Sequence, residues 1–291
     1  MNVKSMLQMP AIKDWLEFAT SELASNSIPT PKLDAEIILA NILNVDRTYL
    51  HAHPEQIIYP KQYILLNRKL RLRLKRTPIA YITGKKEFYG RQFVVDKNVL
   101  IPRPESEAII EILKSIIHNL QSTKIINLVD VGTGSGCLGI TAKLELPNLD
   151  VTLLDISSKA LKIANKNAKS LSADVKIKKN DLLKSYHNKI DIIVANLPYV
   201  DKSWERSPET QHEPALALFA TDNGQSIIKQ LIVQASNLLS SNGYLIIESD
   251  PDQHKSLIEY AKKSKFENID NNGYILAFKL LDGTNTNTVK S

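Results

Sequence analysis

The 291-residue sequence predicts an α/β fold: a doubly wound, mostly parallel sheet ending in an antiparallel hairpin, preceded by a small helical domain. Three observations predict it. Residues 1–78 read as helix only. From Pro104 onward, strand-like and helix-like runs alternate. The final two β-like runs flank Asn271-Asn272-Gly273, a tight-turn signal that reverses the last strand. With 43 % hydrophobic and 23 % charged residues, the composition is that of a globular chain.

Taken in order, "IKDWLEFATSEL" places apolar residues at helical spacing. "TPKLDAEIILANILN" offers Thr30 as a cap and Pro31 at the first helical position. "KQYILLNRKLRLRLKR" is a third and longer helix, and its basic residues, like those of "KIKKN", are expected to form solvated faces. Residues 79–103 bring aromatic and β-branched residues with Gly84 and Gly90, the pattern of a β-hairpin connector ending on the stiff Pro102-Arg103-Pro104. Over 104–281 the strands are "KIINLVDV", "VTLLDI", "VKIKKN", "IDIIVAN", "GYLIIES" and the two runs of "FENIDNNGYILAFKL". Helices such as "SSKALKIANKNAKSL" and "GQSIIKQLIVQASNLL" separate most of them. The polar tail, 282–291, is expected to be disordered.

No stretch approaches the roughly 18 apolar residues of a membrane span, and "MNVKSMLQMPAIKDW" lacks a secretory apolar core, so a cytoplasmic location without a membrane partner is expected. A single cysteine, Cys137, excludes an internal disulfide framework and a cysteine-rich zinc site, and the six histidines show no ligand spacing; no metal is expected. The net charge of +6 permits a nucleic-acid partner without requiring one.

The first strand of the sheet runs into "DVGTGSGCLGI". Gly132, Gly134 and Gly136 let the backbone approach a ligand and present its N–H groups at the start of the next helix. Gly134, Gly136 and Gly139 also satisfy the dinucleotide pattern G-x-G-x-x-G, so the loop alone leaves a nicotinamide cofactor and S-adenosylmethionine both open. Either ligand places Asp155 on ribose hydroxyls, unless Asp155 merely caps the helix after it. Asp181 can accept from an adenine amino group while Leu182 packs on the ring, or it is a surface turn. The next strand ends on Asn196-Leu197-Pro198-Tyr199, for which hydride transfer has no use. An amide or exocyclic amine, by contrast, needs orientation: the Asn196 carbonyl and the backbone carbonyl of Leu197 can each accept one N–H, with Tyr199 as a wall.

With these residues in that order, the chain resembles the HemK family, methyltransferases that modify the glutamine side-chain amide in the Gly-Gly-Gln motif of peptide chain release factors. The resemblance also includes "DAEIILANIL", "AHPE", "PIAYITGKKEFYGRQF", "LIPRPESE" and "HEPALALFATDNG". It implies a class I, Rossmann-like methyltransferase domain of seven strands and a helical domain that docks the release factor. S-adenosylmethionine would be held by Gly132, Thr133, Gly134, Ser135, Gly136, Asp155, Asp181, Leu182 and Asn196. Asn196, Leu197, Pro198 and Tyr199 would grip the glutamine. His212-Glu213-Pro214 resembles the family's Glu-Pro element, as a structural loop or a substrate contact. Leu197 stands where the family has Pro, and Ser106 where it has Thr, a minor change. "IESDPDQ" lacks the usual Gly after its Glu, and the final strand lacks the family's Gly and Arg. Two other readings stay open: a methyltransferase for adenine-type amines in nucleic acid, although the amino-terminal domain is poor in aromatics, and a non-catalytic S-adenosylmethionine-binding module.

Overall fold

The computed structural model describes residues 9–120 and 124–282, so all of the tail except Asp282 lies outside the described residues. Of these, residues up to Lys85 together with Arg206–His212 form one unit; Lys86–Glu205 and the residues from Glu213 onward form a second.

In the first unit, α1 (Ile12–Ser25) buries Ile12, Trp15, Ala19 and Leu23, a stripe at helical spacing. It packs on α2 (Pro31–Leu43), followed by α3 (Arg47–Ala52), α4 (Pro60–Leu74) and α5 (Ile79–Thr83). Pro31 takes the first helical position of α2 as expected, but the Thr30 side chain does not cap the helix. Its hydroxyl instead donates to Asp34 Oδ1 at 2.9 Å, because the buried Asp34 carboxylate needs donors more than the exposed helix end does. The other Asp34 oxygen receives Arg73 Nε at 2.6 Å. The basic run is therefore not wholly a solvated face: Arg73 is only 5 % exposed and bridges Asp34 to Glu209, 3.0 Å away, in the returning Arg206–His212 segment. Helix α5 lies within the stretch read as connector; Gly84, left-handed at φ 77°, ends it.

The second unit opens within β1 (Lys85–Phe88), which forms a hairpin with β2 (Arg91–Val94) across Tyr89-Gly90, both at positive φ. Phe88 and Phe93 meet edge to face with ring centroids 6.1 Å apart. After a 3₁₀ turn at Pro104–Ser106, the chain runs α6 (Glu107–Leu120), β3 (Ile126–Val131), α7 (Cys137–Glu145), β4 (Leu149–Asp155), α8 (Ser158–Ser170), β5 (Lys176–Lys179) and β6 (Ile190–Ala195). It continues through α9 (Ala215–Leu218), α10 (Ser226–Leu238), β7 (Leu239–Glu248), α11 (His254–Lys263), β8 (Phe266–Asn272) and β9 (Ile275–Leu280). The seven-stranded sheet has the order β5-β4-β3-β6-β7-β9-β8, with β9 antiparallel to both neighbours. Gly273 at φ 57° opens the turn that reverses the last strand.

Strand β6 shows how the core is built. Ile192 and Val194 join the cluster that holds α6, α7 and α8, while Ile193 and Ala195 join the one that holds α10 and α11. A strand buried on both faces reads as a continuous apolar run, which is why "IDIIVA" is legible as a central strand. The order reverses between β3 and β6, and the crevice beyond their carboxyl ends is where an open α/β sheet holds a ligand.

Candidate active site

The loops leaving β3, β4, β5 and β6 converge on one cavity. Its lining includes Gly132, Gly134, Asp155, Asp181, Leu182, Asn196, Leu197 and Pro198, together with Asn98, Val99, Pro214, Leu216 and Gln230. Thr133, Ser135, Gly136 and Tyr199 are absent from the lining and act from behind it. Thr133 Oγ1 donates to Asp130 Oδ2 at 2.6 Å. The Ser135 carbonyl accepts from Asn167 Nδ2 at 2.8 Å. Gly136, at φ 84°, leads into α7.

The glycine loop uses its amides internally. Gly132 and Thr133 donate to the Leu154 carbonyl at 2.9 Å each, Gly134 to Asp155 Oδ2 at 2.9 Å, and Gly136 to the Thr133 carbonyl at 2.8 Å. This corrects the expectation of amides presented to a ligand. A pyrophosphate wants a row of unpaired N–H groups, and four of this loop's amides are committed. What the glycines provide is close approach: a Cβ on Gly132 would lie 2.6 Å from Leu197 Cδ2.

Asp155 sits at the end of β4 with Oδ1 accepting from Ser157 N at 2.8 Å and Oδ2 from Gly134 N. It does not cap α8; the Ser157 hydroxyl does, accepting from Ala160 N at 3.2 Å. Burial raises the Asp155 carboxyl above its ordinary value, and the amides of Ser157, Gly134 and Ile156 pull it back. With three amide donors on a carboxylate that has about four acceptor positions, capacity remains for a ribose hydroxyl. Asp130, at the end of β3, is wholly buried and pushed up to about 6 by desolvation, offset by Thr133 and Gly139. Asp181 is half-exposed and paired with Lys184, while its neighbour Leu182, at φ 49°, lies along the cavity wall.

Asn196 is the first residue beyond β6. Its Nδ2 donates to Ser106 Oγ at 2.9 Å, the Ser106 hydroxyl donates to Glu248 Oε2, and the Tyr199 hydroxyl reaches Glu248 Oε1 at 3.1 Å. Ser106 and Glu248 are 2 % and 1 % exposed. Tyr199 is raised above an ordinary phenol by burial and by the Glu248 charge. Its carbonyl accepts from Gln253 Nε2 at 2.9 Å, and Gly224 packs so close that a Cβ there would stand 1.8 Å from that carbonyl oxygen. Leu197 is buried at 4 % exposure. Glu213 proves to be a clamp: it accepts from Ile101 N at 3.0 Å and from Arg103 at 2.5 Å, holding "LIPRPESE" in place, while Pro214 alone of the His212-Glu213-Pro214 run lines the cavity.

Sequence reasoning missed Ser106, Glu248 and Asn167 as site-builders. Asn167, fully buried in α8, holds the Val94 backbone through both its N–H and its carbonyl and at the same time holds the Ser135 carbonyl of the glycine loop. A polar residue on the apolar stripe of an otherwise amphipathic helix was the available signal.

This strand order, with a glycine loop after β3, a carboxylate ending β4 and an Asn-x-Pro-Tyr loop after β6, defines the methyltransferase class of α/β fold. Residues 14–84 match the PrmC N-terminal domain and residues 112–213 the methyltransferase small domain. The release factor glutamine methyltransferase of Koribacter versatilis is 37 % identical over 242 residues, spanning 81 % of this chain and 85 % of the relative. That of Leptospira interrogans is 36 % identical over 255 residues, spanning 84 % and 88 %. A solved methyltransferase from Pyrococcus furiosus shares the fold at 19 % identity, with a TM-score of 0.50 over 74 % of this chain and 99 % of that one. The chain belongs to the release factor glutamine methyltransferase family. Among the described residues, no helix is long and apolar enough to cross a membrane.

Proposed function

We propose that this protein uses S-adenosylmethionine to methylate the glutamine side-chain amide in the Gly-Gly-Gln motif of peptide chain release factors. The single observation that supports this most is that Asp155, a carboxylate with acceptor capacity to spare at the end of β4, and Asn196, with its amide nitrogen already committed to Ser106, line one cavity.

Asp155 would take the ribose diol, Leu182 would lie along the adenine, and Asp181 would accept from the adenine amino group. Gly132 and Gly134 would leave room for the rest of the cofactor. The group supplies an electrophilic methyl on a sulfonium. An amide nitrogen is a weak nucleophile because its lone pair is delocalised, so the protein's task is alignment more than deprotonation. Asn196 Oδ1 accepts one substrate N–H and the Leu197 carbonyl accepts the other, fixing the nitrogen in line. Pro198 biases Leu197 toward an extended backbone. The buried Leu197 side chain lies close against Gly132. Pro198, Pro214 and Leu216 give the slot apolar walls.

The experiment is single-turnover transfer of labelled methyl to a release factor by wild type and Asn196→Ala. The expected result is transfer by wild type and about a 100-fold loss in the variant, with cofactor affinity nearly kept. Label on nucleic acid instead of protein would favour the adenine-type reading. Cofactor binding without transfer to either would favour a binding module.

A further inference from the structure

We propose that Ser106 and Glu248 are positioning residues that fix which end of the Asn196 amide faces the substrate. The inference rests on the reading of Asn196 as the acceptor of a substrate N–H.

An Asn side chain can present either its carbonyl oxygen or its NH₂ to a cavity, and the two ends are nearly the same size. For a substrate amine only the oxygen is useful; the NH₂ would meet the substrate's own donors. What decides between the ends is the hydrogen-bond polarity behind the side chain. Glu248, at the end of β7, is 1 % exposed and, when ionised, can only accept. Its neighbouring donors are the Ser106 hydroxyl on Oε2, the Tyr199 hydroxyl on Oε1 and the Asn196 amide itself. Ser106 owns a single hydroxyl proton, and that proton is spent on Glu248. Toward Asn196, 2.9 Å away, Ser106 Oγ therefore offers only lone pairs, and the amide must turn its Nδ2 to it. Oδ1 is left for the cavity that Asn196 lines. Reversing the amide would set oxygen against oxygen, or pull the Ser106 proton away from a buried carboxylate; either is unfavourable in a site this dry.

The surroundings hold this chain of donors rigid. Ser106 closes the 3₁₀ turn after Pro104, and the segment before it is pinned by Glu213 through Ile101 N and Arg103. Glu248 lies in β7, paired directly to β9 at Ile275, and β6 lies alongside with Ala195 paired to Ile247. The Ser for Thr exchange is thereby explained: the position needs a hydroxyl on Cβ, and both residues supply one. Burial raises the Glu248 carboxyl, while the donors Ser106, Tyr199 and Asn196 favour its ionised form. The other titratable groups acting on this network are Glu105, Cys137, Asp250 and Tyr274.

The test uses the full chain with side-chain ¹⁵N-labelled asparagine, in wild type, Ser106→Ala, Ser106→Thr and Glu248→Gln, the Asn196 signal being assigned by its loss in Asn196→Ala. Two readouts are taken: hydrogen exchange of the Asn196 NH₂, and kcat for methyl transfer to a Gly-Gly-Gln protein alongside the Kd for S-adenosylmethionine. Ser106→Ala is expected to lower the NH₂ protection and to lower kcat by up to about a hundredfold, as for a misplaced contact at the reacting group, with Kd little changed. Ser106→Thr should restore both. Glu248→Gln, which puts a donor where only acceptors stood, should also lower kcat. Unchanged NH₂ protection and unchanged kcat in folded Ser106→Ala would overturn the proposal. If Ser106→Ala does not fold, Glu248→Gln with wild-type NH₂ protection and kcat would overturn it equally. A wild type that binds cofactor yet methylates no Gly-Gly-Gln protein would sink the functional reading instead, and the exchange comparison would still decide the amide's polarity.

Discussion

Gly132→Ala probes the junction between the glycine loop and the Asn-Leu-Pro-Tyr loop. Gly132 has φ 73°, a conformation that costs an L-residue about 1–2 kcal/mol. Its new Cβ would stand 2.6 Å from Leu197 Cδ2, the branch of a buried side chain with little room to retreat, and forcing a methyl into such packing costs about 1–3 kcal/mol. The sum is about 2–5 kcal/mol. Leu197→Ala alone should cost about 2–4 kcal/mol as a buried large-to-small change. The two costs overlap, because removing the Leu side chain removes the clash but not the backbone strain. The double variant should therefore be about 1–3 kcal/mol more stable than the sum of the single effects, which is the steric part of the Gly132→Ala penalty. The assay is urea unfolding of wild type, both single variants and the double, followed by far-UV circular dichroism and evaluated as a double-mutant cycle on the second unit's transition. Additivity within about 0.5 kcal/mol would mean that the two loops do not press on each other, and the packing account of Leu197 would be wrong.

Asp155→Ala should weaken S-adenosylmethionine binding by about 1.5–3 kcal/mol in calorimetry, the worth of a charged hydrogen-bond partner; equal affinities would remove the ribose role. Leu197→Pro and Leu197→Ala, compared at matched folded fraction, should both keep methyl transfer, since the position acts through a carbonyl that each retains. Loss of transfer in both while cofactor still binds would make the Leu side chain itself part of the glutamine slot. Glu209 gives a pH prediction for the first unit: burial pushes its carboxyl up, but the Ser207 hydroxyl, its own backbone N–H and Arg73 outweigh that and hold it at about 2. A depressed carboxyl contributes stability that is present above its ordinary value of 4.5 and is lost as pH falls toward 2. Thermal unfolding of wild type against Glu209→Gln should thus show a gap at neutral pH that closes across that window. A gap that is constant with pH would mean that the Arg73 and Ser207 contacts do not favour the charged form.

What the sequence disclosed was what is local. The apolar run of β6 and its stop at Asn196, Asp155 at the end of β4, and the hairpin signal before β9 are each written in fewer than a dozen consecutive residues. The site's supports are not local. Ser106 reaches Glu248 across 142 positions and Asn196 across 90, so no periodicity or motif spacing joins them; only the parallel sheet, which sets β6 beside β7, does. The same holds for Arg73, hidden in a run whose other basic residues look solvent-bound. Its ion-pair partner Glu209 lies 136 positions away. That return of Arg206–His212 to the helical unit also explains why the unit's limits could not be read from the first 78 residues. The amides of the glycine loop were misjudged for a related reason. Glycine content reveals backbone freedom, whereas the partners that consume three of the four N–H groups, Leu154 and Asp155, come from the neighbouring strand.

The most direct test of the proposed chemistry is to locate the methyl group. Purified protein is incubated with S-adenosylmethionine and a release factor, and the product is digested and fragmented by tandem mass spectrometry. The prediction is one added methyl on the side-chain nitrogen of the Gly-Gly-Gln glutamine, formed about 100-fold more slowly with Asn196→Ala and absent when that glutamine is replaced. A methyl group found on another residue, or transferred only to nucleic acid, would contradict it.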